Sequence, residues 1–150
     1  MIPRGADGLR NIIMRMAIDL MPKASDAYMA SDLGMLSALL GMVAQDYDRA
    51  ADVLVAEHAA LVPILEAGSA KVEDAALQGR IGEALAIQPA SLRVSDLQAR
   101  SDAMLRALID LHAAVEEAEA AGAPWAKALN ADIWRFLESQ TEAQAYQVAL

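Results

Sequence analysis

Cysteine is absent from this 150-residue chain. That removes disulfides, thiol catalysis and thiolate metal sites, and it suits a reducing compartment. Aromatic residues are scarce, 4% against 56% hydrophobic residues overall, so any core is built from Leu, Ile, Val, Met and Ala. Proline (five) and glycine (eight) are also few, and Ala and Leu lose little entropy on entering a helix. Cations are outnumbered, 12 Lys and Arg against 21 Asp and Glu, leaving a net charge of −9. Such a surface does not neutralise phosphates, which argues against nucleic acid as a partner and against anionic membrane surfaces.

Long apolar runs are missing too. The longest uncharged one, Leu33 to Ala44, falls short of the ~20 residues that span a bilayer. Asp7, Arg15 and Asp19 interrupt what a secretory signal would need as its apolar segment. The expectation is a soluble, cytoplasmic protein. No glycine-rich phosphate loop follows a strand, and no G-x-S-x-G elbow occurs.

What is present is helical periodicity. Leu9, Ile12, Ile13, Met16, Ala17 and Leu20 form one stripe of a first helix over residues 4–20, ended by Pro22. A long helix over 31–68, capped by Ser31 or Asp32, carries Leu36, Leu40, Val43, Tyr47, Ala50, Leu54, Leu61 and Leu65 along its inner face. Pro63 is expected to kink this helix, and Gly68 to stop it in a left-handed conformation. Gly34, Ser37, Ala38, Gly41 and Ala44 make its first half thin enough for close approach by another helix. A weaker helix spans 70–87. Ser95 and Gln98 match a capping box that opens a helix with Leu97, Met104, Leu108, Leu111, Val115 and Ala118 on one seam. After Gly122, Pro124 begins a last helix with Trp125, Leu129, Ile133, Phe136 and Leu137 inside. The fold predicted is a single domain over residues 1–150, an all-α, mostly antiparallel helical bundle. It has four main helices, of which the long one is central, plus one short helix.

The chemically interesting residues are His58, His112 and Glu116. Both histidines flank apolar stripes, and Glu116 lies one turn beyond His112, so a shared metal is conceivable. The Glu-x-x-His spacing of carboxylate-bridged metal bundles is absent, since Val55 and Ile109 stand three residues before the histidines. The simpler reading is two histidines at the edge of a core, with no metal, cofactor or catalytic residue. Asp46, Asp48, Arg49 and Asp52 read as a solvated face. Six methionines between Met14 and Met42 serve as filler or as an adaptable surface.

Pro3, Ala6, Asp7 and Leu9, then Tyr28 and the run Ala44-x-Asp46-x-Asp48-x-Ala50-Ala51, resemble a group of small uncharacterised bacterial helical proteins encoded near acyl-CoA dehydrogenase-like and phosphotransferase-like enzymes. The resemblance covers residues 3–60; it implies an all-α fold and an accessory role, and transfers no catalytic residue. From the residues themselves, apolar side chains exceed what one small domain hides. The expectation is a non-enzymatic homodimeric interaction protein, joined through the region of Met14, Ile18, Met35 and Met42, or else serving a different protein partner. The alternative is a module holding a small apolar or acyl ligand between helices.

Overall fold

A computed structural model describes residues 4–147. Five α-helices follow in order: α1 (Gly5–Arg15), α2 (Ala27–Ser69), α3 (Ala75–Ala86), α4 (Val94–Ala120) and α5 (Ala126–Gln144). No strand occurs among the described residues, so the all-α fold with a long central helix is present. The chain packs as two compact units. One is residues 1–50 with 146–150, of which 4–50 and 146–147 are described; the other is residues 51–145.

In the N-terminal unit α1 gives way at Met16, before the proline, to a π turn (Met16–Leu20) and a 3-10 turn (Met21–Lys23). The Met21 N–H reaches back five residues to the Met16 carbonyl, a wider turn than an α-helix makes. Helix α2 begins at Ala27 rather than near Ser31. Asp26, not Ser31 or Asp32, caps α2: its Oδ1 accepts from the Met29 N–H at 2.8 Å. That bond, with one from the Ser25 hydroxyl, holds the Asp26 carboxyl below its ordinary pKa.

Helix α2 runs unbroken through Pro63, which therefore does not end it. The missing N–H leaves the Ala59 carbonyl without its intrahelical donor. Gly68 is not a left-handed stop either; the single positive-φ residue among those described is Gly122, at φ 82°. Gly68 instead gives close approach inside the C-terminal unit, because a Cβ there would fall within 3.0 Å of three Leu111 side-chain atoms. Gly122 closes α4 in a Schellman motif: the Ala123 N–H bonds the Ala118 carbonyl and the Gly122 N–H the Glu119 carbonyl, both at 2.9 Å.

The boundaries of the C-terminal helices follow their caps. Asp74 accepts from the Ala76 N–H at 2.8 Å, so α3 starts at Ala75 rather than Ala70. Ser95 does not cap α4, which begins one residue earlier. Ser91 organises that start, accepting from the Arg93 N–H and donating to Asp96. Pro124 lies in the turn before α5, closed by the Ala126 N–H on the Ala123 carbonyl. The core of this unit joins Leu61 and Leu65 of α2, Leu77 and Ile81 of α3, Met104, Leu108, Leu111 and Val115 of α4, and Leu129, Ile133 and Phe136 of α5.

The two units differ in how they bury α2. On an ideal helix Leu36, Leu40, Val43, Tyr47, Ala50, Leu54, Leu61 and Leu65 fall within an arc of roughly 80°. Leu54, Leu61 and Leu65 are buried, yet Leu36 is 48%, Val43 53% and Tyr47 67% exposed. The inner face expected along the whole helix is inner only in its second half. Among the described residues of the N-terminal unit only Ala6, Met16 and Ala44 are buried hydrophobics.

Candidate functional site

In the C-terminal unit three polar side chains interrupt otherwise apolar seams. Glu57 lies on α2 between Leu54 and Leu61, at spacings of three and four, and is 7% exposed. Its neighbour His58 is 6% exposed, and Ser101 of α4, between Leu97 and Met104, is fully buried. His58 Nε2 and Ser101 Oγ are 2.9 Å apart. Burial, then the positive charge of Arg100, holds the His58 imidazole below its ordinary pKa; a backbone hydrogen bond with Leu97 and the Glu57 charge oppose the shift. A histidine–serine pair is the first half of a nucleophilic site. Here the serine hydroxyl is sealed in the core, and the pair satisfies two buried polar groups.

Glu57 is satisfied on one oxygen only. The Gln140 Nε2 of α5 donates to its Oε2, while Oε1 is buried and has no hydrogen-bond partner among the described residues. Glu57 also lines a cleft of about 440 Å³ between α2 and α5, walled by Val53, Ala56, Ala60 and Phe136, with Asp52 and Ser139 among its lining residues. On the other side of α2 a cleft of about 450 Å³ is lined by His58, Arg100, Val62, Leu92 and Leu97.

His112 sits in a separate network. Its Nε2 donates to the Asn130 Oδ1 at 2.9 Å, and the Asn130 Nδ2 donates to the Glu119 Oε2 at 2.6 Å. The Glu116 Oε1 is 3.6 Å from the same histidine nitrogen, and the Trp134 ring meets the imidazole edge-on at 5.4 Å. The structure thus brings His112 and Glu116 together, while His58 is engaged with Ser101. Among the described residues no three His, Asp or Glu side chains converge as a metal site would require.

The N-terminal unit presents surface rather than a polar site. Ile12, Met14, Ile18 and Leu20, then Tyr28, Met29, Met35, Leu36, Leu39, Val43 and Tyr47, are exposed. Met42, Ser37 and Gly41 do not join that surface; with Ile13 and Tyr146 they line a cleft of about 400 Å³. Asp46 is engaged, accepting from the Tyr146 hydroxyl at 2.8 Å, and this bond raises the tyrosine pKa. By length and composition α2 is apolar enough to cross a membrane, as are core helices of soluble proteins and signal sequences.

Sequence reasoning passed over Glu57, Ser101 and Arg100. The signal for the first two was there: each occupies the vacant position in a seam of apolar residues at three-and-four spacing. No protein-family model, curated protein or solved structure matches this chain.

Proposed function

We propose that this chain is a non-enzymatic, cytoplasmic interaction protein that works as a homodimer, joined through α1 and the first half of α2. The supporting observation is the stripe of α2, which forms a core from Leu54 onward and runs uncovered through Leu36, Val43 and Tyr47. Eleven large apolar side chains between Ile12 and Tyr47, each exposing roughly half to three-quarters of its surface, amount to on the order of 1,000 Å², close to the ~800 Å² per partner of a stable interface. Monomers rarely leave so large an apolar patch in water, and a two-fold axis lets one self-complementary patch cover both copies.

Charge favours a second copy over other partners. Residues 1–50 hold five Lys and Arg against six Asp, so two such units approach almost without repulsion. A lipid cover is disfavoured because Asp32 lies within the exposed stripe, and an Asp in a bilayer core costs about 3 kcal/mol. Light scattering behind a sizing column tests the reading. The wild type is expected to run as a dimer at tens of micromolar, and Leu39→Glu with Val43→Glu as a monomer of unchanged helicity. A wild-type monomer overturns the dimer, and co-sedimentation of that monomer with phosphatidylcholine vesicles would assign the patch to lipid.

A further inference from the structure

We propose that the cleft between α2 and α5 binds a primary ammonium compound with a small apolar body, its cationic head on Glu57. The proposal is independent of the dimer, because every residue it uses lies between Asp52 and Gln140. A carboxylate more than nine-tenths buried is costly unless its charge is paired and its oxygens are hydrogen-bonded. Glu57 lines the cleft, receives one bond, from Gln140, and keeps its buried Oε1 without a donor. What that oxygen lacks is a donor, and a cationic donor supplies charge and hydrogen bond together.

The surroundings select the rest of the ligand. Val53, Ala56, Ala60 and Phe136 offer an apolar wall. Asp52, exposed at the rim, adds a second negative charge, and no Lys or Arg lines this cleft. The Ser139 hydroxyl, which donates to the Phe136 carbonyl, keeps lone pairs for another ammonium proton. A volume of about 440 Å³ is ample for a chain of six or so carbons or one aromatic ring. An anion would meet two carboxylates, and a neutral alcohol would leave Glu57 without its counter-charge.

Hexylammonium chloride is the probe, with hexanol and sodium hexanoate as isosteric controls, followed by ligand-observed NMR and titration calorimetry on the full chain. Hexylammonium is expected to bind with a Kd below a millimolar, at least tenfold more tightly than hexanol, with no binding of hexanoate. Glu57→Gln keeps size and hydrogen bonding, removes the charge, and should weaken hexylammonium at least tenfold while hexanol is unchanged. Asp52→Asn, at the exposed rim, should cost less than threefold. Circular dichroism shows whether each variant is folded; should Glu57→Gln unfold, the hexanol and hexanoate comparison on the wild type decides alone. Equal affinity for hexanol, binding of hexanoate, or a folded Glu57→Gln that binds hexylammonium as the wild type does would overturn the proposal.

Discussion

The two units are made from similar helical sequence and differ in what their apolar residues do. Residues 51–145 pack most of their large apolar side chains into or against one aliphatic core, and they carry most of the net acidity: residues 51–150 hold seven Lys and Arg against fifteen Asp and Glu. The described N-terminal residues bury three hydrophobic side chains and are nearly neutral. One helix serves both, so hydrophobicity and period do not decide whether a stripe becomes a core. What decides is whether other elements supply side chains to cover it, as α3, α4 and α5 do for Leu61 and Leu65.

Truncation in the two halves of the same stripe should separate them most. Leu61→Ala, at a fully buried site, is expected to cost about 2–5 kcal/mol in urea unfolding, through lost transfer energy and an unfilled cavity. Leu36→Ala, in protein diluted enough to be monomeric, should stay within about 0.5 kcal/mol. Equal losses would break the comparison by revealing a core around Leu36.

A finer contrast comes from two glycines. A Cβ at Gly68 would crowd Leu111, and one at Gly5 would crowd the Tyr47 ring, each within 3.0 Å of three atoms. Leu111 is fully buried and has nowhere to go, so Gly68→Ala should destabilise by about 1–3 kcal/mol. Tyr47 is exposed and can swing aside, so Gly5→Ala should be close to neutral by thermal melting.

Acid should act on the C-terminal unit. The unfolded chain takes up the His58 proton at the ordinary value, while the folded chain resists it until lower pH. Stability is therefore flat above pH ~6.5 and falls below it, by at most about 1.4 kcal/mol per pH unit for one proton. The groups around the ring that set this are Arg100, Leu97 and Glu57, and His58→Gln should flatten that part of the curve. In the stabilising direction, Gly79→Ala on α3, where a Cβ meets nothing within 4 Å, should add up to about 1 kcal/mol from helix propensity.

The C-terminal half was the more legible in sequence. The seam of α4, its stop at Gly122 and the inner face of α5 follow from periodicity and from a glycine where a positive φ is required. Helix starts were harder to read, because several polar residues compete and geometry picks one: Asp26 over Ser31, Asp74 over any residue near Ala70, Ser91 over Ser95. The exposure of Leu36, Val43 and Tyr47 was not legible, since a stripe specifies a face and not its cover. Of the candidate residues, His112 and Glu116 do meet, but Glu57 carries the more unusual environment. Charged neighbours on α2 read as solvent-facing until the phase of each residue relative to Leu54 and Leu61 is worked out.

The scarce aromatic residues are also partitioned between the units. Trp125 and Trp134 belong to α5 and its entry, whereas Tyr28, Tyr47 and Tyr146 all lie in the N-terminal unit. The protein thus carries two intrinsic optical reporters. Emission excited at the red edge, where tyrosine does not absorb, follows the acidic C-terminal unit alone, and tyrosine absorbance follows the N-terminal unit. Unfolding of one unit ahead of the other would be visible as two non-coincident transitions, with no label attached.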